Sequence, residues 1–384
     1  MLVVLIAILI VFFVRILRPL ILIRFGGLRS RRIGHFAGNT EQYLCMKEGG
    51  ISNQGSYDIF YLRSKVSNDM LRKMWARKLH ISKFNDLVNR IDRINRYLPG
   101  GDRHSVTMPT DRDFHGFYPK TKPFLSFTKE EDQLAHQELE NLSIPKGSPF
   151  VALYARTPHY LKAKFPHRDY SYHNYRDSNI DNYLSAAKEL ARKGYYVVRV
   201  GAELEKDLHT QNPKIIDYAR SGRSEFMDIY LSAKCRFFLG TVGGLNAIPQ
   251  IFRVTMVLTN LIPLEYISFH PQDLVIPKKL WFQNENRFLT FGETHQLGLA
   301  TALTSDKYIS LGMEPVENTP EEIKAVVIEM DERLKGNWLT TEEDEELQRK
   351  YWSFYPPDHV CSQSEYSRSR IGTEFLRQNR ELLV

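Results

Sequence analysis

The residues best suited to chemistry surround a glycine-rich turn at residues 240–244, Gly-Thr-Val-Gly-Gly. The turn follows an apolar segment, 236–239, that predicts a buried strand, and it precedes a helix expected from about Leu245. At the start of a helix, unpaired backbone N–H groups and the helix dipole favour an anion. The sequence therefore predicts a phosphate-binding turn; the alternative is that the glycines only allow close packing of strand and helix. The residues that would form this site are Thr241, Gly243, Gly244 and Asn246.

Arginines lie at the ends of two earlier predicted strands. Residues 150–155 form a continuous apolar run, typical of a strand covered on both faces, and Arg156 follows directly. The next predicted strand, 195–201, contains Arg199 and ends at Gly201. Ligands of open α/β sheets bind beyond the carboxyl ends of the strands, and a guanidinium can bind a phosphate through two N–H groups. We therefore expect Arg156, Arg199 and Gly201 to contribute to a donor site, with a surface ion pair as the alternative for Arg156.

Two polar segments that precede predicted helices add further candidates. Residues 172–178 are rich in Tyr, His, Asn and Arg, a composition that suits recognition of a sugar or a base. Residues 221–228 lead into another helix, where an arginine is unfavourable unless an anion binds beside it. Ordinary polar loops with helix-capping residues are the alternative for both segments. The candidate residues are His173, Arg176, Arg223 and Ser224.

Candidates for a general base come from the first part of the chain. His35 and Glu41 are the main ones, with His115 behind them, and a structural role is the alternative for each. Residues 111–113, Asp-Arg-Asp, have the spacing of a metal-binding motif, but this pattern is common by chance in charged loops. We therefore expect arginines and helix N-termini, rather than a metal, to neutralise a departing phosphate. No metal and no cofactor is predicted.

Alternating strand and helix patterns predict an α/β fold with parallel sheets. Residues 57–62 form an aromatic-rich strand, and 68–79 and 84–98 have helical spacing. From residue 150 onward, strand, helix and strand alternate at lengths typical of βαβ units. The predicted organisation is an N-terminal α/β domain at 25–145, a C-terminal Rossmann-like domain at 146–340 and a helical extension at 341–384.

The first 24 residues predict a membrane anchor. Residues 2–14 are uninterrupted apolar side chains, and 16–23 continue the run with Arg18 and Pro19 inserted. The segment either spans the membrane or lies in its interface as an amphipathic helix. Because the flanking arginines all follow the run, the positive-inside rule places the body on the cytoplasmic face of an inner membrane.

Composition and charge exclude other classes. The formal net charge is +7, yet six arginines before the first acid, Glu41, supply nearly all of it, so the body is almost neutral and nucleic acid is not an expected partner. Three scattered cysteines predict neither a disulfide framework nor a metal site. No Gly-x-Gly-x-x-Gly follows the first strand of either half, which argues against an NAD-dependent oxidoreductase. The six arginines are Arg15, Arg18, Arg24, Arg29, Arg31 and Arg32.

Several segments resemble a bacterial family of glycosyltransferases from surface-carbohydrate gene clusters. They are residues 32–41 (Arg-Ile-Gly-His-Phe-Ala-Gly-Asn-Thr-Glu), 176–184, 194–201 and 226–241, and the likeness covers most of 29–280. More distantly, the order of elements is similar to that of fucosyltransferase-type enzymes of the GT-B class, which have two Rossmann-like domains.

By position, the more distant resemblance implies that Arg156 contacts a nucleotide diphosphate and that Thr241 lies near it. Tyr154 stands where that class has a histidine. The resemblance implies a membrane-associated glycosyltransferase that uses a nucleotide-sugar donor and a surface-glycan or lipid-linked acceptor. The alternative is a non-catalytic scaffold that binds a nucleotide sugar or a glycan in a polysaccharide assembly complex.

Overall fold

Two parallel sheets, each flanked by helices, organise the chain. The computed structural model describes residues 2–52, 55–202, 206–220, 222–268, 270–357, 359 and 368–384. Both sheets are built from strands joined by helical crossovers, as the alternating sequence pattern predicts. The predicted α/β class with parallel sheets is confirmed.

The first sheet has four parallel strands in the order β3-β2-β1-β4. Its elements are α1 (Leu2–Leu17), β1 (Leu22–Leu28), α2 (Ile33–Glu48), β2 (Ser56–Leu62), α3 (Asp69–Ala76), β3 (His80–Ile81), α4 (Asn85–Tyr97) and β4 (Ser105–Val106). Helix α5 (Lys129–Asn141) follows, with a capping box between Thr128 and Glu131 at its start.

The second sheet has seven parallel strands in the order β14-β10-β9-β8-β5-β6-β7. Its first part contains β5 (Phe150–Tyr154), α6 (His159–Lys164), α7 (Leu184–Arg192), β6 (Tyr196–Arg199), β7 (Ile215–Ile216), α8 (Glu225–Lys234), β8 (Phe238–Gly240), α9 (Ala247–Ile251), β9 (Met256–Leu261) and β10 (Leu274–Pro277). Every residue of β8 and β9 is buried, as are the first four of β5, because helices cover both faces.

The remaining elements form a small antiparallel sheet and the C-terminal helices. They are β11 (Lys279–Phe282), β12 (Arg287–Phe288), α10 (Phe291–Gln296), α11 (Ser305–Ser310), β13 (Met313–Val316), α12 (Pro320–Leu334), α13 (Glu342–Trp352), β14 (Arg370–Ile371) and α14 (Thr373–Gln378). The antiparallel sheet has the order β12-β11-β13. Strand β14 pairs with β10, so the segment predicted as a helical extension contributes an edge strand to the second sheet.

The N-terminal segment differs from the predicted anchor at residues 1–24. Helix α1 has 16 residues, and strand β1 begins at Leu22, where it pairs with Ser56 of β2. The end of the predicted anchor is therefore part of the first sheet. Among the described residues, no helix is both long and apolar enough to cross a membrane.

The first half of the molecule (residues 2–141, with the four-stranded sheet) and the second half (from residue 150 onward) share one hydrophobic core. Helix α2 packs on α9, and α3 packs on α8, so helices of the first half lie directly against helices of the second. The Asn68 side chain, which caps α3, also donates a hydrogen bond to the Glu225 carbonyl at 2.9 Å. Buried contacts of this kind fix the edges of the two sheets relative to each other.

Candidate functional site

A cleft of about 550 Å³ lies between the carboxyl edges of the two sheets. In the first sheet the strand order reverses between β1 and β4, and in the second between β5 and β8. Such reversal points are where open α/β sheets bind ligands, because the crossovers leave on opposite sides and open a crevice. The segments that line the cleft include residues 32–35 after β1, 110–114 after β4, 156–157 after β5 and 242–247 after β8.

The start of α2 forms one wall of the cleft. Arg32 occupies the N-cap position, and its side chain makes no capping hydrogen bond. The first N–H groups of a helix have no partner within it, so the 16-residue α2 presents the positive end of its dipole at Ile33, Gly34 and His35, which line the cleft. This wall can stabilise negative charge.

His35 and Asp111 meet in the cleft. The Nδ1 atom of His35 lies 3.4 Å from Oδ2 of Asp111, and their side chains are 37% and 41% exposed, so both are accessible to a substrate. Burial raises the pKa of Asp111, but interaction with His35 outweighs it and the pKa is lowered. Gly38 makes the contact possible, since a Cβ there would lie 2.7 Å from Cβ of Asp111. The sequence analysis identified His35; it considered Asp111 only as half of a metal motif.

Asp111 and Asp113 do not act together. Asp113 is fully buried, and its carboxylate accepts hydrogen bonds from the N–H groups of Phe117 and Tyr118 at 2.8 and 2.6 Å. It therefore stabilises its own loop, while Asp111 faces His35. Across the described part of the chain, no group of three or more His, Cys, Asp and Glu side chains could hold a metal ion.

The other predicted base, Glu41, lies outside the cleft. It is fully buried, and its Oε1 is 2.8 Å from a terminal nitrogen of Arg253, which follows α9 in the second half. Burial raises the pKa of Glu41 to about 7, against the opposing effect of Arg253. Arg253 is fixed in turn by the Tyr118 ring, 4.5 Å away, and by Thr121. The geometry therefore makes Glu41 part of an ion pair that joins the two halves. His115, the reserve candidate, is exposed and does not line the cleft.

Arg156 lies in the cleft directly after β5, as predicted. Its guanidinium is almost fully buried, contacts the Asp177 carboxylate and donates to the His173 carbonyl at 3.3 Å. Burial and the neighbouring Arg176 lower the pKa of Arg156 to about 10, so it stays charged at neutral pH. A buried cation held in place by one carboxylate is oriented before any ligand arrives.

Arg156 belongs to a cluster of cationic residues. Burial, followed by the charges of Arg176, Arg156 and Arg32, lowers the pKa of His173 to about 3, so this histidine is neutral. Nε of Arg176 and Nδ1 of His173 are buried and make no hydrogen bond with the described residues. Arg176 also lies 5.9 Å from the Tyr266 ring centre. Positive charge in excess, together with unsatisfied polar atoms, suits an anionic ligand.

The glycine-rich turn positions Arg156. The Thr241 hydroxyl is buried and accepts a hydrogen bond from the Arg156 backbone N–H at 3.0 Å, and Thr241 N–H donates to the Tyr154 carbonyl at 3.1 Å. The Gly243 N–H donates to the Asn246 side chain at 3.0 Å. Helix α9 has only five residues and begins two residues later than expected. Two of the predicted phosphate donors, the Thr241 hydroxyl and the Gly243 N–H, are thus already engaged within the protein.

The glycines of the turn allow close backbone contacts. A Cβ at Gly240 would lie 2.3 Å from the Tyr154 carbonyl oxygen, so β5 and β8 need a glycine there. A Cβ at Gly34 would lie 3.0 Å from Cα of Gly244, which places the start of α2 against the turn. Gly240 and Gly244 therefore serve close packing, as the alternative interpretation proposed. The packing is against strand β5 for Gly240 and against the start of α2 for Gly244, rather than between a strand and the helix that follows it.

Four predicted donor residues lie away from the cleft. Arg199 is buried and bonds to Asp217 at 3.1 Å, while Arg223 bonds to Asp228 at 2.5 Å. Burial raises the pKa of Asp228 to about 6, although Arg223 opposes the shift. Ser224 caps α8 by accepting from the Met227 N–H at 3.1 Å. These contacts are internal to the second half. Besides the buried Thr241, the predicted donor residues that do not line the cleft are Arg199, Gly201, Arg223 and Ser224.

Sequence reasoning missed several lining residues. Arg32 was counted only among the charges flanking the anchor, and Arg112 only as the middle of a metal motif. Arg112 lies 4.2 Å from the Tyr266 ring centre and 3.5 Å from the Glu265 carboxylate. Their positions could have identified them, because both arginines lie in segments that follow strands of the first sheet. Ligands bind beyond the carboxyl ends of strands in that sheet as in the second.

Comparisons with known proteins give distant structural similarity only. No family model and no curated protein matches the chain. A family 9 glycosyltransferase from Veillonella parvula DSM 2008 aligns at 9% identity and a TM-score of 0.36, covering 62% of this chain and 80% of the other. The E. coli ADP-heptose LPS heptosyltransferase II aligns at 10% identity and a TM-score of 0.34, covering 63% of this chain and 86% of the other. TibC, a dodecameric iron-containing glycosyltransferase of E. coli H10407, aligns at 11% identity and a TM-score of 0.32, covering 64% of this chain and 62% of the other. At these scores none of the three defines the fold or the function of this chain.

Proposed function

We propose that the chain is a glycosyltransferase of GT-B type that uses a nucleotide-sugar donor. The observation that carries this proposal is the cluster of Arg156, Arg176 and neutral His173 in a cleft between two sheet reversal points. A diphosphate would supply the missing negative charge and could accept from Nε of Arg176, which is buried and has no hydrogen-bond partner in the described part of the chain. The cleft volume of about 550 Å³ lies within the usual range for small-molecule sites.

In the proposed reaction, the cations of the second half stabilise the leaving group. The bond between the sugar C1 and the phosphate oxygen breaks, and negative charge develops on the departing nucleoside diphosphate. Arg156 and Arg176 interact with that charge more strongly as it grows, which lowers the barrier. The N-terminus of α2 and Arg32 add positive potential from the opposite wall. This arrangement supplies charge from the protein itself, so the proposed transfer is independent of a metal.

His35 acts as the general base in this proposal. An acceptor hydroxyl, from a surface glycan or a lipid-linked saccharide, would lie against the first half. Its proton passes to Nε2 of His35 as the oxygen attacks C1 from the face opposite the phosphate, which inverts the anomeric configuration. Asp111 faces Nδ1 at 3.4 Å, orients the ring and stabilises the imidazolium that forms.

A nucleotide panel tests donor binding. In a panel of UDP, GDP, dTDP and the monophosphate CMP, we expect one of the three diphosphates to raise the melting temperature of the protein, because a ligand at about 100 times its Kd stabilises the folded state by roughly 2.7 kcal/mol. The shift should become smaller in Arg176→Gln and stay unchanged in Arg72→Gln, a half-buried arginine of α3 that does not line the cleft. No shift with any nucleotide would contradict the donor site.

Product release separates an enzyme from a scaffold. With the matching sugar nucleotide and membrane extract as the source of acceptor, we expect release of nucleoside diphosphate that depends on His35. A nucleotide that binds and is never released as product would instead support the alternative, a non-catalytic scaffold that binds nucleotide sugars.

A further inference from the structure

Helix α1 has two apolar faces, and only one is covered by the protein. Ala7, Val11 and Val14 are buried and belong to a cluster with Val88 and Ile91 of α4. The opposite face remains exposed along the whole helix. Its residues are Leu2, Leu5, Leu9, Phe12, Phe13 and Ile16, with exposed fractions between 53% and 74%.

This exposed face is larger than folding requires. Its residues recur at helical spacing over four turns, so they form one continuous apolar stripe rather than scattered side chains. Stripes of this kind on a soluble surface mark contact with another apolar phase or partner. The first turn of α1 contains no acidic residue, and the helix carries a single charge, Arg15, which bonds to Asn95 and Pro99 of the same half.

Cationic residues lie on α4, the helix that packs against the covered face of α1. Helix α4 packs beside α1 through Leu87, Ile91 and Ile94. Arg90 and Arg93 lie next to these residues around the helix, on its exposed side. The exposed cations of this region are Arg18, Arg90, Arg93, Arg96 and Arg103, against two exposed acids, Asp86 and Asp102.

We propose that α1 lies in the plane of a membrane interface that carries anionic lipids. Its exposed stripe would sit among the upper acyl chains, and the arginines of α4 would contact phosphate headgroups. A spanning orientation does not suit this helix, because its buried face is packed on α4 and its 16 residues extend only about 24 Å, against about 30 Å of hydrocarbon.

A second copy of the chain is a poorer occupant of this surface. A symmetric dimer through α1 would bury the stripe but would leave the exposed arginines of α4 without a partner of opposite charge. An anionic bilayer meets the apolar stripe and the arginines with matching chemistry. The proposal concerns α1 and α4 only and does not depend on the proposed sugar transfer.

Vesicle sedimentation of the full chain tests the proposal. We expect binding to vesicles that contain phosphatidylglycerol and much weaker binding to phosphatidylcholine alone. Leu9→Ser with Phe12→Ser should weaken binding roughly a hundredfold, because two large apolar side chains no longer enter the acyl region. Arg90→Gln with Arg93→Gln should weaken it roughly thirtyfold on anionic vesicles, at about 1 kcal/mol for each charge.

Matched controls keep the test specific. Ile309→Ser with Leu339→Ser changes two exposed apolar side chains far from α1 in sequence, and Arg349→Gln with Lys350→Gln removes two charges from α13; neither should alter binding. Undiminished binding by both α1 and α4 variants would overturn the proposal. A second outcome would also overturn it: the wild-type protein binds no vesicles and forms a dimer, and the Leu9→Ser, Phe12→Ser variant is a monomer. Nucleotide-dependent melting shifts, measured on the same variants, report on the donor site separately.

Discussion

The two halves of the molecule share a topology and differ in chemistry. Each sheet brings its functional residues to the point where the strand order reverses, after β1 and β4 in the first half and after β5 and β8 in the second. The first half contributes His35 and Asp111, whose side chains lie 3.4 Å apart and form the proposed base and its orienting carboxylate. The second contributes Arg176 and Arg156, and Arg156, with a pKa of about 10, stays charged at neutral pH. The same order of strands thus positions the proposed base on one wall of the cleft and the proposed anion site on the other.

The halves also differ in how their side chains are held. Arg156 is almost fully buried, with a carboxylate beside its guanidinium and the Thr241 hydroxyl on its backbone N–H. The side chains of His35 and Asp111 are more than one third exposed. A rigid anion site opposite a more accessible base suits a reaction in which the donor binds in a fixed pose and the acceptor arrives from solvent or from a membrane.

The largest expected effect on transfer is the loss of the base. In His35→Asn the transfer rate should fall by a factor of about 10² to 10⁴, because the acceptor hydroxyl keeps its proton while it attacks. Donor affinity, measured by the nucleotide melting shift, should stay unchanged. Asp111→Asn should cause a smaller loss, since the amide can still orient the ring but does not stabilise an imidazolium.

If His35→Asn had the same kcat as the wild type, His35 would not be the general base, and the first half would contribute no group to proton transfer. The proposed division of labour between the halves would then fail, even with the donor site intact.

The next effect should come from the second half. Arg176→Gln removes a cation with an unsatisfied Nε and leaves the Arg156–Asp177 contact in place. We expect about a hundredfold loss of kcat/KM and a weaker nucleotide melting shift, because the guanidinium contacts the diphosphate both before and during its departure. The pKa of His173 provides a second measurement, since its low value of about 3 is due first to burial and then to the charge of Arg176. In Arg176→Gln that pKa should rise, which NMR titration of the ring would detect.

Parallel α/β architecture and the place of Arg156 could be predicted from sequence because both depend on local patterns. Residues 150–155 are apolar without interruption, which only a strand covered on both faces tolerates, and Arg156 comes directly after them. The early part of the chain was predicted less well, since β3 and β4 have only two residues each and leave no periodic signal.

The partners of the charged residues could not be predicted from sequence. Arg199 lies at a strand end, as Arg156 does, and Arg223 precedes a helix, yet each pairs with a carboxylate inside the second half, Asp217 and Asp228. Nothing in the order of residues shows which cation finds an internal carboxylate and which remains for a ligand. The same holds for Glu41, whose partner lies more than two hundred positions away in the chain.

A smaller effect should follow from pushing the halves apart. In Gly34→Ala the new Cβ would lie 3.0 Å from backbone Cα of Gly244, so the start of α2 and the turn must separate by a few tenths of an ångström. We expect roughly a tenfold loss of kcat, because small misplacements between base and donor reduce the rate steeply. Stability should not fall in parallel, since alanine favours the helix by up to about 1 kcal/mol relative to glycine.

Gly244→Ala is the matched control for this contact. Its Cβ would meet the Cγ2 methyl group of Ile33 at 3.2 Å, while the nearest backbone atom, the Gly34 nitrogen, lies at 3.6 Å, an ordinary contact, so the backbones of the two halves are pushed apart less. Equal rates for Gly34→Ala and Gly244→Ala would show that the spacing of the halves does not limit transfer.

The smallest effect on transfer is expected at Glu41, the base candidate that the structure buries. Burial raises its pKa from an ordinary 4.5 to about 7, while Arg253 acts in the opposite direction. Because the folded state holds this proton more tightly than the unfolded chain, the stability that it contributes is present below about pH 4.5 and is lost as the pH rises through 7. The difference in unfolding free energy between wild type and Glu41→Gln should therefore fall across that interval in denaturant titrations, while kcat stays at the wild-type value. A large loss of kcat in Glu41→Gln, with His35→Asn still active, would instead move the proton-transfer step from the cleft to the contact between the halves.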